Sequence, residues 1–117
     1  MNYALLTYER EADRADITPE EGQAIFAAYG EFHARLVEAG VFVAGFGFED
    51  TVTARTVTAP SGKASVTDGP FDTTTFQLTG FFVIDAPSME EAIDWGAKIP
   101  AAETGRVEVR PIIDMGP

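Results

Sequence analysis

The chain has a single histidine, His33, and no cysteine. Proton transfer near neutral pH therefore falls first to that imidazole, the side-chain type that titrates there in water. His33 lies on a helical stretch in a stripe with Phe26 and Val37, which places it at the edge of apolar surface. It can act as a hydrogen-bonded structural histidine or, with Asp68 or Asp72 within reach, as a proton shuttle. Asp68 opens the run Asp68-Gly69-Pro70-Phe71, a stiff turn. Its carboxylate can cap nearby backbone amides, or stand at a cleft mouth as a base or an orienting group, while Phe71 is expected to plug the core. Tyr29, one turn before His33, is either a core aromatic with a tethered hydroxyl or a phenol able to donate to a substrate oxygen. Asp68, His33 and Tyr29 form the candidate catalytic set. The chemistry open to them is acid–base, such as an elimination or isomerisation of a modest, partly apolar substrate. Tyr8 has a case similar to that of Tyr29. Arg106 and Arg110 share a strand face with Glu108, a pattern that favours an ion pair over anion capture.

Other chemistries find little support. One histidine and no cysteine leave only carboxylates for a metal, and Glu9, Glu11, Asp13 and Asp16 read more simply as a solvated loop. Neither Gly-x-Gly-x-x-Gly, nor a Walker pattern, nor a nucleophile elbow occurs, and no cofactor is expected. The aromatics between Val41 and Phe48 could line a flat apolar ligand site, although sheet packing explains them first.

The elements that must position these residues are well signalled. A first strand covers Tyr3 to Tyr8, and Glu9 to Asp16 follows as a polar loop. Thr18, Pro19 and Glu21 spell a helix start with a capping box, and Gly40 a left-handed stop after Ala39. Ile25, Tyr29, Phe32, Leu36 and Ala39 form the main apolar stripe of that helix. Phe26, His33 and Val37 form a second, which widens the buried face or provides another contact surface. Val41 to Phe48 reads as a strand with Phe42, Ala44, Phe46 and Phe48 on one face and Val41, Val43, Gly45 and Gly47 on the other, where the glycines permit close approach or a bulge. Arg55–Ala59 and Lys63–Thr67 pair through Pro60-Ser61-Gly62. Leu78–Asp85 is apolar on both faces. Ser88 and Glu91 cap a second helix with Met89, Ala92, Ile93 and Ile99 inward and Trp95 near the edge, ended by Pro100. Arg106–Arg110 alternates as a half-buried strand.

At 117 residues the chain has room for one domain. A net charge of −11, with eight scattered basic residues, argues against nucleic acid and anionic membranes as partners. No apolar run nears the roughly 20 residues of a membrane span. With no secretory leader at its start, the chain is expected to be cytoplasmic.

The order β-α-β, hairpin, β-α-β predicts an α+β fold: a ferredoxin-like antiparallel sheet with two helices on one face and an inserted β-hairpin. Two helices cover only one face, yet several strands are apolar on both, so a homodimer packed sheet to sheet is expected.

The same elements carry a resemblance. Asp68-Gly69-Pro70-Phe71 after Val66-Thr67 resembles the motif that names the DGPF branch of the YCII-related domain family. Tyr3-Ala4-Leu5-Leu6, Gly80-Phe81-Phe82-Val83-Ile84, Ala92-Ile93-Asp94-Trp95, Ile99-Pro100 and Val107-Glu108-Val109-Arg110-Pro111 extend it over nearly the whole chain. The resemblance implies a dimeric ferredoxin-like α/β barrel with clefts near the dimer interface. It also implies either a small-molecule ligand handled by a histidine–aspartate pair, or an accessory role linked to an extracytoplasmic-function sigma factor. The chain departs from the pattern where relatives often place their helix histidine, since it has Tyr29 there and His33 a turn later. It also lacks the lysine that commonly follows the motif.

Overall fold

In a computed structural model describing residues 1–116, the opening apolar run becomes strand β1 (Asn2–Arg10), with Tyr3, Leu5 and Thr7 buried on one face. The loop expected from Glu9 to Asp16 is therefore corrected. Glu9 and Arg10 finish the strand opposite Gln77 and Phe76, and Ala12–Ala15 coil into a single turn, α1. A ladder partner outweighs the weak strand preference of charged residues.

Helix α2 (Pro19–Glu38) starts as its cap chemistry predicts. Thr18 Oγ1 accepts from the Glu21 amide at 3.1 Å, and Glu21 Oε1 accepts from the Thr18 amide at 3.3 Å. The helix ends at Gly40, whose φ of +74° lies in the left-handed region that a side chain disfavours. Phe32 and Leu36 from the main stripe are buried, and Tyr29 packs against them. The second stripe is no part of the core: Phe26 is 81% exposed and Val37 53%.

Strand β2 (Phe42–Gly47) departs from the simple alternation expected for it. A bulge between Phe42 and Ala44 reverses the faces. Phe42 turns toward α2, where its ring meets that of His33 at 4.5 Å. Phe46 instead pairs with Phe81, and Phe48 also contacts that ring. The four residues expected on one face are thus divided between two.

After a single 3-10 turn at Thr51–Thr53, strands β3 (Arg55–Thr58) and β4 (Ser65–Asp68) form a two-stranded ladder of their own. Strand β5 (Phe76–Asp85) follows, then α3 (Met89–Gly96), a second short turn α4 (Ala101–Thr104) and β6 (Arg106–Pro111). Ser88 caps α3 as expected. Two details of that region are corrected. The helix stops before Ile99, which is buried in the connection to α4, and Ile93 is 50% exposed because it turns outward.

The main sheet has the order β2-β5-β1-β6, antiparallel throughout. The chain is therefore an α+β domain whose strand order is consistent with a ferredoxin-like arrangement. Leu5 and Ile84 from the sheet, Phe32 and Leu36 from α2, Ala92 from α3, Ile99 and Ala101 make one core on the helix side. The sheet stays open within the chain, with β2 and β6 at its edges. On the face without helices, alternation and pairing line up Phe46, Phe81, Leu6 and Glu108 in one cross-strand row. Phe46, at the end of this row, is 64% exposed.

Candidate functional site

A cavity of about 600 Å³ opens between α2 and the end of the sheet formed by β1, β5 and β2. Helix α2 supplies Tyr29, His33 and the exposed Phe26, and the sheet supplies Phe42, Phe46, Phe48 and Phe82. Gly45 and Gly47 keep the β2 side open. At Gly45 a methyl group would come within 2.9 Å of the Phe82 ring, so the missing side chain is what lets the aromatics meet.

The polar end of this largely aromatic space is built from residues on β1, α1 and β5. Arg14 Nη2 donates to Glu9 Oε2 at 2.7 Å, and Thr79 Oγ1 donates to the same oxygen at 2.5 Å. The Thr7 and Thr79 hydroxyls are 2.9 Å apart, so Thr7 can feed the chain that ends on Glu9. The Glu9 side chain is only 13% exposed, whereas that of Arg14 is 40% exposed. Glu9 and Arg14 were expected in a solvated loop, and this cluster is the part of the site that the sequence reading missed. Its signal lay in the alternation of β1: Tyr3, Leu5 and Thr7 face inward, and the next position of that period is Glu9.

Tyr29 lies over Phe82, ring centroids 6.4 Å apart and nearly parallel. Its hydroxyl is buried with no hydrogen-bond partner among the described residues. Burial, then the charge of Glu9, pushes the phenol up to about 12. Arg14 and the Ala101 amide pull it part of the way back without completing a hydrogen bond. At neutral pH Tyr29 is therefore a protonated phenol.

A buried hydroxyl left unpaired costs about 1–3 kcal/mol. Tyr29→Phe should consequently match or exceed the parent protein in thermal midpoint, and a drop of several degrees would show that the hydroxyl is satisfied. The raised folded-state value also sets a sign. Its contribution is complete below pH 10 and is lost as pH climbs toward 12. Urea unfolding between pH 9 and 11.5 should show that alkaline loss diminished in Tyr29→Phe, with Tyr8 present in both proteins.

Of the three residues singled out for catalysis, the protomer brings two to this cavity. His33 lines it from α2, edge-on to Phe42. Asp68 does not line it. It ends β4 with a side chain 90% exposed and pairs across the ladder with Arg55 Nε at 3.1 Å. The backbone-capping role expected of Asp68 belongs to Asp72, which accepts from the Thr74 amide at 2.9 Å. The Thr74 amide, then its hydroxyl, hold the Asp72 carboxyl below its usual range. Gly69 takes φ +92°, a conformation that favours glycine, and its amide donates to Ala54 O at 2.8 Å. Phe71, expected in the core, is 89% exposed in the connection between β4 and β5. Tyr8 reaches Glu108 at 3.4 Å. Arg106 stacks on Phe76 at 4.8 Å, with Arg10 also near that ring.

Compared with known proteins, residues 1–116 match the profile of the YCII-related domain. The chain belongs to the YCII-related domain family. An uncharacterised protein of Rhizobium meliloti (strain 1021) is 34% identical over 114 residues, which cover 96% of this chain and 92% of that one. In this YCII-related domain no three His, Asp or Glu residues gather closely enough to hold a metal ion, among the described residues. Nor is any described helix long and apolar enough to cross a membrane.

Proposed function

We propose that this YCII-related domain binds a small, largely apolar molecule in the cavity under α2 and works as a homodimer. The observation that carries the first part is the cavity itself: an aromatic space of about 600 Å³ ending in the hydrogen-bonded Glu9–Arg14–Thr79 cluster. The second part rests on the row Phe46, Phe81 and Leu6, apolar on a sheet face without helices. A second copy packed there would form the dimeric α/β barrel. Phe46 and Phe81 border both that face and the cavity, so the ligand site would sit beside the interface. Acid–base chemistry in this reading uses His33 and Tyr29. Asp68, and with it the DGPF-branch assignment of a paired aspartate, joins them only if a second protomer supplies it.

The cavity is tested with prodan, an uncharged fluorescent naphthalene ketone. Its emission should rise and shift blue saturably, at one dye per protomer. Gly30→Trp adds an indole at a lining position where a Cβ meets nothing within 4 Å. That variant should fold and lose the signal. Unsaturable emission, or a Gly30→Trp protein that binds as before, would refute the cavity as a binding site.

A second reading, a regulatory or accessory module contacting a protein such as an extracytoplasmic-function sigma factor, draws on the β3–β4 hairpin. Val57 and Val66 there are each more than 60% exposed, and Phe71 follows. Stoichiometric recovery of one protein partner, lost in Phe71→Ser, would favour this reading. Unchanged recovery by that variant would count against it.

A further inference from the structure

Binding in this cavity, as proposed above, leaves open the chemical class of the ligand, and the charges along the lining constrain that class. The lining carries one carboxylate, Glu9, and one guanidinium, Arg14, and these two are bonded to each other at 2.7 Å. Both hydrogen bonds to the carboxylate, from Arg14 and from Thr79, end on Oε2. Oε1 makes no side-chain hydrogen bond within the described residues, and the guanidinium keeps further N–H groups, so both residues retain hydrogen-bonding capacity for a ligand in the aromatic space they line. A ligand ion entering there would lose part of its hydration against the aromatic lining and find its natural counter-charge already occupied, and a charge left unpaired beside apolar surface is costly. A neutral hydroxyl or primary amide could instead donate to Oε1 and accept from Arg14 without disturbing the pair, through charge-assisted bonds.

We propose that the cavity selects uncharged, ring-containing molecules whose one polar group both donates and accepts hydrogen bonds, and that the internal Glu9–Arg14 pair is the selectivity element excluding ions of either sign. This inference rests on the cavity binding reading. It adds that Glu9 and Arg14 cancel each other there, so that removing one should reverse the preference instead of only weakening it.

Four naphthalenes of nearly equal size serve as competitors of prodan: 2-naphthylmethanol, 2-methylnaphthalene, 2-naphthoate and 2-naphthylmethylammonium. At pH 7 the alcohol should bind tightest. The hydrocarbon should be weaker by about the worth of one charge-assisted bond, roughly tenfold, and both ions weaker still. Glu9→Gln releases Arg14, and the carboxylate should then overtake the alcohol. Arg14→Met, which keeps the apolar stem, strands Glu9, and the ammonium should rise to first place. Far-UV circular dichroism establishes that each variant is folded, and the ranking in the parent protein is decisive even if one is not. A parent protein that prefers either ion, or fails to prefer the alcohol over the hydrocarbon, overturns the inference while the cavity reading stands. So does an order unchanged in two folded variants. Failure of prodan and of all four competitors to bind defeats the cavity reading itself, and this inference with it.

Discussion

Leu36→Ala should lower the unfolding free energy by about 3 kcal/mol, within the range seen when buried leucines are truncated. Leu36 has no exposed surface and sits on α2 within the core that joins the helix to Leu5 and Ile84. The loss combines the transfer of the deleted carbons with the cavity left among neighbours that relax only in part. For a domain this size it is a large share of a total stability of roughly 5–15 kcal/mol. The control is the next residue. Val37 is 53% exposed, and Val37→Ala should change stability by less than about 0.5 kcal/mol. Because α2 also carries Tyr29 and His33 over the cavity, prodan affinity should fall with Leu36→Ala and hold with Val37→Ala. Urea denaturation of the two variants decides the matter. Equal midpoints would mean that α2 is not anchored as described.

Leu6→Lys should turn a dimer into a monomer that is still folded. Leu6 projects to the face without helices, between Phe81 on β5 and Glu108 on β6, so its replacement leaves Leu5 and the core untouched. A standard interface buries about 800 Å² per partner. In the proposed dimer a lysine in this apolar row would be desolvated against the second copy. Glu108, directly across the ladder from position 6, can partner that lysine, but the pair would then have to be buried together. In sedimentation at micromolar concentration the parent protein should run as a dimer and the variant as a monomer, with superimposable far-UV spectra. A parent protein that sediments as one chain at that concentration removes the dimer proposal and the placement of the cavity beside an interface.

Much of the fold was legible because its signals are local. Thr18 and Glu21 sit three residues apart, and the capping box they predict needs nothing beyond that turn. Val107 and Val109 alternate with Arg106, Glu108 and Arg110, and the strand follows with its apolar side half-buried. Errors arose where a distant segment decided the outcome. Whether Phe42 and Phe46 share a face depends on a bulge against β5, some 40 positions along the chain; Gly45 and Gly47 permit such a bulge but do not say where it falls. Glu9 and Arg14 were assigned to solvent because charged runs usually are solvated. Pairing of Glu9 with Gln77 extended the strand, and the Thr79 hydroxyl made its burial tolerable. For the cavity, the α2 spacing put Tyr29 and His33 on the helix that lines it, whereas Asp68 lies outside that lining within the protomer.

The sequence by itself determined where α2 begins and ends, which of its faces meets the sheet, and that β6 is wet on one side. Each of these follows from residues a turn or a pleat apart. Only the tertiary structure decided that Asp68 stands outside the cavity on an Arg55 ion pair, that Phe71 faces solvent, and that Glu9 with Arg14 closes the cavity's polar end. Those outcomes depend on strand register and on contacts between segments tens of residues apart, where one inserted residue exchanges the inside of a strand for its outside.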